Sequence, residues 1–513
     1  MDIPAIPQEL VVYGSIVLAF ALVMIGDIIK NREIRMYTKL AGFAILLIVP
    51  ILSLLLYSFM DFISSIFSIL AAIVGMAVTV YVDSYEVLKY RGRNLRMLID
   101  VFSLSIYAVF ASPNLISFIM FWLFAEIVGF FAIVFEIHRR TLVAGLRYLL
   151  VSMVPADIAL IALIALASMS LGFENAMILP MTRIHIVLGV LSPALSILIL
   201  LGFMAKAAVA PLHFWLPDAH SLAPAPASAL LSGVMVKMGI YGMIRILPSV
   251  DPIYTPYVIM GFAALTTVYG GLQALVQSDI KRLLAYSTIE NTSLMVLALA
   301  AYKVFGIGAL WAATLTMAMA HGIFKAALFM DSGVVEISTH TRELPKLGFL
   351  SRFLPLSSVS SLVSVLSLLG VPPTLGFLGK LYLFAGFVEA IYVTPTIGIA
   401  LLVVAALGAA LAVAYGVRYL TVYWGSIEAN PSEMHLPNDK SIILSEFAVA
   451  ILSIILAVPF YLILAIAGYA TLELVYIAPF ALLEVAFLVL LYHVYTHTRT
   501  VAQDIHWLGG AVP

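Results

Sequence analysis

The chain has 513 residues, 63% of them hydrophobic and 10% charged, with a formal net charge of −1 and no cysteine. A soluble domain of this length needs far more surface charge, and a nearly neutral chain offers no basic face for nucleic acid. Without cysteine there is no Cys-ligated iron–sulfur cluster, no thiolate zinc site and no disulfide. Any redox cofactor that this protein serves must therefore sit on a partner.

A hydrocarbon core needs roughly 20 apolar residues per helical span, and the sequence supplies such stretches almost end to end. The N-terminal MDIPAIPQEL lacks the basic region of a cleavable signal, so the first stretch is expected to remain as a helix. Spans are predicted near residues 8–30, 37–58, 61–83, 97–112, 114–136, 142–169, 185–209, 222–247, 253–277, 282–302, 304–330, 352–390, 393–424 and 441–469. A further apolar stretch follows at 471–495. The expectation is an all-α membrane protein of about fourteen or fifteen transmembrane helices and no soluble domain.

Basic residues cluster in the connections after the first, third, fifth, ninth and eleventh spans. Examples are Lys30 to Lys39, Lys89 to Arg96, Arg139 with Arg140, Lys281 with Arg282, and Arg342 to Arg352. All five lie on one side by this count, which the positive-inside rule makes cytoplasmic, with the N-terminus outside. The connection after the thirteenth span, Ser426 to Lys440, is acidic and gives no support.

Ionisable residues also stand inside the spans, where one costs roughly 2.5–3.5 kcal/mol on insertion scales. Glu126 sits in FWLFAEIVGFF, Lys206 in LLGFMAKAAVAP, Lys237 in SGVMVKMGIYG, His321 and Lys325 in AMAHGIFKAALF, and Lys380 in PTLGFLGKLYLF. A single buried lysine is readily explained as a structural ion pair. Four on different helices need more anionic partners than the spans evidently offer; Glu126, Asp157 and Glu290 are the best candidates. Desolvation favours a lysine's neutral form and a nearby carboxylate its charged form, so a lysine balanced between the two can gain and lose a proton. His321 and Lys325 are four residues apart and share a helix face, and histidine can pass a proton through its ring.

Two spans are interrupted by proline, each close to a lysine. Pro211, Pro217 and Pro224 follow Lys206, and Pro372 and Pro373 precede Lys380. Proline removes a backbone hydrogen bond and breaks a helix. Inside a bilayer such a break is tolerated only where protein or water satisfies the freed groups. Two such spans, five apart, suggest two related halves with ion sites at discontinuous helices; kinks made only for packing are the plainer alternative. His213, Asp218 and His220 have the residue types of a metal cluster, but their short proline-rich turn suits tying down the break better, and no metal is expected.

The stretch 200–245, LLGFMAKAAVAPLHFWLPDAHSLAPAPASALLSGVMVKMGIYGMIR, resembles the signature of proton-translocating, antiporter-like subunits. These occur in respiratory complex I, in multisubunit Mrp-type Na+/H+ antiporters and in membrane-bound hydrogenases. QSDIKRLLAYSTIENTSLMVLAL (277–299), HGIFKAALF (321–329) and GVPPTLGFLGK (370–380) resemble three further blocks of that family. The resemblance implies fourteen conserved helices with two inverted repeats of five helices, each holding a discontinuous helix. Residues 1–96 would be N-terminal helices, 97–250 and 251–425 the two halves, and 426–513 the C-terminal helices. It further implies that Glu126 partners Lys206, that Lys237 is the central lysine, that His321 and Lys325 are the polar positions of the eleventh helix, and that Lys380 is the twelfth-helix position. Asp157, Glu290, His213 and Asp218 would be accessory.

YSTIENTS and THTRELPKLGFL (339–350) are similar to hydrogenase-type members. The partners implied are other membrane subunits and a peripheral arm carrying iron–sulfur clusters, with a nickel–iron site in a hydrogenase, in the cell membrane. The chain itself would hold no cofactor. A subunit of a quinone-reducing complex I or of an Mrp-type antiporter, a self-sufficient secondary transporter and a closed structural scaffold are the other readings.

Overall fold

The computed structural model describes residues 8–56, 59–91, 93–425, 434–469, 482–483 and 485–493. Among the described residues there is no β-strand, and eleven helices are long and apolar enough to cross a membrane, or twelve if one bent pair counts as a single span. The helices follow the apolar runs: α1 (Gln8–Ile28), α2 (Arg32–Leu56), α3 (Phe62–Tyr90), α4 (Leu95–Ala111), α5 (Leu115–Ile133) and α6 (Arg139–Leu171). Next come α7a (Pro193–Lys206), α7b (Leu216–Leu222), α8 (Ala225–Ser249), α9 (Thr255–Val276), α10 (Ile280–Phe305) and α11 (Gly308–Thr339). The last are α12a (Pro355–Leu369), α12b (Leu375–Val393), α13 (Pro395–Trp424), and α14a (Ser441–Ile455) with α14b (Ala457–Ile466), bent by 48°. The apolar stretch expected at 471–495 lies largely outside the described residues.

The span expected over 352–390 is two helices, because Gly370 takes φ +77° at the end of α12a and the following prolines cannot continue it. The span expected from residue 185 begins only at Pro193, which follows the N-cap Ser192.

The chain forms two compact units. One comprises Met1–Thr266 and Thr292–Gly306, the other Thr267–Asn291 and Ile307–Pro513, so α9 and α10 each contribute to both. In the first unit α1 to α5 pack in succession, and α7a packs against α6 and α8. Asp61 caps α3 by accepting from the Ile63 and Ser64 amides, and its carboxylate takes Arg245 of α8 at 2.7 Å. In the second unit α11 packs against α12a, α12b and α14a.

Polarity runs opposite to that of a soluble fold. Outward faces are apolar, as with Leu150, Val154, Ile158 and Ile161 on α6, and Ile399, Val403 and Leu407 on α13. The ionisable residues are inside: α8 and α11, which carry Lys237, His321 and Lys325, are buried along their whole apolar length, and Glu126 and Lys206 have no exposed surface. This is the arrangement that a lipid solvent selects. Several basic residues that the sequence places in connections are also internal. Arg35 joins Asp83 at 2.9 Å, and Lys39, with no exposed surface, sits between Asp100, at 2.6 Å, and Asp27.

Candidate functional site

The first unit centres on the break between α7a and α7b. Lys206 is the last residue of α7a, and its ammonium lies 2.5 Å from Glu126 Oε1 of α5; neither side chain has exposed surface. Tyr148 of α6 closes the pair from a third side. Its hydroxyl is 3.4 Å from the Lys206 ammonium, which stands 4.8 Å from the ring centre. Gly129, one turn beyond Glu126, leaves the room that the Tyr148 hydroxyl occupies. Asp157 lies beside Glu126, close enough for the two carboxylates to interact. One lysine is thus held among two carboxylates and a phenol.

The backbone of the break is satisfied by protein, as a bilayer requires. The Trp215 indole donates to Ala205 O at 2.9 Å, and the Ala210 amide donates to Thr266 Oγ1 at 3.1 Å. Ala208 turns the chain at φ +56°. On α8, Lys237 is fully buried and donates to Ser232 O at 2.6 Å, inside the π-turn Leu231–Met235. Such wide turns are frequent at functional positions of helices. Gly239 brings α8 against the break, since a β-carbon there would collide with Phe203 O and crowd the Ala207 amide.

The second unit repeats the device with different wiring. Lys380 stands in α12b, and its ammonium reaches back 3.1 Å to Leu369 O, the last carbonyl of α12a. Its stem lies on Gly370, and a cavity about the size of one water molecule opens beside it, lined by residues including Asn291, Met317, Ser367 and Gly376. Glu290 of α10 is the carboxylate of this unit. Its Oε2 accepts from the Tyr415 hydroxyl and from Asn291 Nδ2, both at 2.7 Å, and it interacts electrostatically with Lys380 and Lys325. Lys325 donates to Leu284 O at 2.9 Å and to the Ser287 hydroxyl. His321 lies one turn before Lys325 on the same buried helix, its ring 5.3 Å from Phe324.

The helix-break residues behave otherwise. Asp218 forms an ion pair with Arg147 and so fastens α7b to α6. His220 offers its carbonyl to Ser228 Oγ at 2.9 Å, and His213 is partly exposed beside Phe214. Among the described residues no three His, Cys, Asp or Glu side chains are grouped to hold a metal ion.

Known proteins share the fold. The family described as "NADH:quinone oxidoreductase/Mrp antiporter, TM" matches residues 112–408, more than half of the chain. The chain belongs to this family. Hydrogenase-4 component B of Escherichia coli (strain K12) is 27% identical over 422 residues, covering 78% of this chain and 62% of that relative. The chain therefore spans less than two thirds of that relative's length. The Mrp complex from Dietzia sp. DQ12-45-1b contains a chain of the same fold, with a TM-score of 0.73 and 19% identity over 90% of this chain and 96% of that one. A chain of the membrane-bound sulfane sulfur reductase, an archaeal respiratory membrane complex, gives a TM-score of 0.73 and 19% identity, covering 92% and 99%. This protein is accordingly a multi-pass membrane protein with the antiporter-like fold of that family.

Within this antiporter-like fold the structure joins Glu126, Asp157 and Lys206 in one group and Glu290, Lys325 and Lys380 in another. Sequence reasoning missed Tyr148, Asn291, Ser287 and Tyr415, and no local signal marks them, since a tyrosine or serine in a span is ordinary. It also passed over Asp331 in FMDSGVV, Glu446 in SIILSEFAVA and Asp100 in RMLIDVFSL. The rule that flagged Glu126, a charge within an apolar run, would have found all three.

Proposed function

We propose that the chain is the ion-translocating subunit of a redox-driven membrane complex, of membrane-bound hydrogenase or ferredoxin-linked type. In this reading protons are relayed by Glu126, Lys206, Lys237, His321, Lys325 and Lys380, with Asp157 and Glu290 as the accessory carboxylates. The supporting observation is the buried Glu126–Lys206 pair at a broken helix. A unit pair at 4 Å is worth roughly 4 kcal/mol at an effective dielectric of 20. A partner's redox reaction that changes charge or hydration near Glu126 would separate the pair. Lys206, stripped of its counter-charge, would then pass its proton inward, and Lys380 would release it on the other side. Residues 97–250 and 251–425 would act as the two halves of the relay, and the positive-inside bias of the connections supports an outside N-terminus.

The test uses the assembled complex in sealed vesicles. Lys206→Ala should abolish coupled translocation while the partner's electron transfer continues in part. Pumping at the normal ratio in that variant would show that the relay is misassigned. The complex type is read from what co-purifies from the native membrane. A nickel–iron or ferredoxin-linked partner supports the proposal, whereas a quinone-binding partner points to a complex I-like enzyme. Further antiporter subunits without redox cofactors would point to an Mrp-type exchanger.

A further inference from the structure

Just beyond the end of α11, two histidines from different segments of the second unit meet. His340 is the C-cap of α11, and His435 lies in the connection between α13 and α14a. His340 Nε2 and His435 Nδ1 are 3.2 Å apart, and both residues are exposed. The backbone fixes both positions. The His340 amide donates to Glu336 O at 2.9 Å, and the residue turns the chain at φ +55°. The His435 amide donates to Ser338 O, also at 2.9 Å. Both rings are therefore carried by the last turns of α11, although they are 95 positions apart in the chain. The relay uses neither of them.

A neutral imidazole has one ring N–H and one ring lone pair, so the contact by itself is a hydrogen bond from one ring to the other. Its geometry suits a second use. Two nitrogens bound to one tetrahedral zinc at roughly 2.0–2.1 Å stand about 3.3–3.4 Å apart. The observed 3.2 Å is close to that spacing. The ring centres are 4.8 Å apart and the planes lie at 65°. A straight N–H···N bond would set both ring radii end to end beyond the 3.2 Å and part the centres further. The ring axes are instead bent off the line between the nitrogens, as they are when two imidazoles turn to one ion. We propose that His340 and His435 form a binding site for a divalent, imidazole-seeking transition metal, with zinc as the representative ion. Binding moves the shared N–H proton to the far nitrogen of its own ring, so two neutral rings release no proton. Water fills the remaining positions, which makes the site a two-ligand clip rather than a closed structural site. Magnesium and calcium seek oxygen and gain nothing from two imidazoles. A bound ion would fasten the connection between α13 and α14a to the end of α11.

The site stands apart from the lysine relay, so either can fail alone. The experiment uses the purified full-length chain in lipid nanodiscs, stripped of metal by a chelator and carrying no histidine tag. Zinc chloride is titrated in by calorimetry at neutral pH, with magnesium chloride as the control. The chain has ten histidines, so the comparison with variants decides. Wild type should bind a zinc ion at micromolar concentration and ignore magnesium. His340→Ala and His435→Ala should each weaken that binding by at least about tenfold. Both residues are exposed, so the variants should melt with the metal-free wild type. Cobalt(II) is the second readout: the visible absorption of a tetrahedral ion should appear with wild type and be lost in either variant. Wild-type zinc affinity in either variant would overturn the site. So would a wild type that binds no zinc, which would leave the pair as a hydrogen bond only.

Discussion

The two units place a lysine beside a proline break, yet the lysines are held differently. Lys206 has a carboxylate against it, at 2.5 Å, with Tyr148 and Asp157 alongside. Lys380 donates to a helix-terminal carbonyl, and Glu290, the carboxylate that acts on it electrostatically, is anchored by Tyr415 and Asn291 and acts on Lys325 as well. The first arrangement is a closed contact pair. The second is a split charge in which one anion serves two cations. A closed pair suits a gate and a split one suits a through-station, because separating a contact pair needs more work than shifting a proton between weakly held sites.

This contrast predicts different costs of removal. The largest effect is expected at Lys206: Lys206→Ala leaves Glu126 buried and unpaired, which should destabilise the chain by about 3–5 kcal/mol. It should also lower translocation by about a hundredfold or more. The double variant Glu126→Leu, Lys206→Met should recover the stability, because an apolar pair can replace a buried ion pair, but not the translocation. Thermal melting and vesicle pumping, measured on both variants, separate the two roles. If the double variant pumped, the contact-pair account would be lost.

Glu290→Gln is the corresponding break in the second unit and should do less. Glutamine keeps an acceptor for Tyr415 and Asn291 but gives up the charge that Lys325 and Lys380 share. Translocation should fall by about tenfold, with little change in melting temperature. A loss as large as that of Lys206→Ala would mean that the second unit also works as a closed pair.

The glycines give a purely structural comparison. A β-carbon at Gly376 would collide with Ser367 O, and one at Gly239 with Phe203 O, in both cases backbone that cannot swing away. Gly376→Ala and Gly239→Ala should each cost about 1–3 kcal/mol, read as a lower melting temperature. Equal costs would say that both breaks are equally rigid. Smallest of all, Tyr415→Phe removes one donor to Glu290 while Asn291 remains, and about 1 kcal/mol is expected in the same assay. A larger loss would mark Tyr415 as the main support of that carboxylate.

Most of the buried ionisable residues were legible because a charge inside an apolar run has a cost that a sequence displays directly. Glu126, Lys206, Lys237, His321, Lys325 and Lys380 stand out on that ground alone. The breaks were legible because proline acts through its own ring, whatever surrounds it. The same rule read less selectively would have added Asp100, Asp331 and Glu446. It would not have told Lys39, a buried member of an ion-pair network, from a basic residue of a connection.

Local chemistry thus decided which residues are helical, where two helices must stop, and which side chains cannot face lipid. Tertiary structure decided the pairings. Tyr415 reaches Glu290 across 125 positions of the chain, and Tyr148 reaches Lys206 across 58. Helical periodicity relates residues three or four apart and says nothing about neighbours on another helix. Which helices lie side by side is settled by packing, and that packing chose a carboxylate for Lys206 and a carbonyl for Lys380.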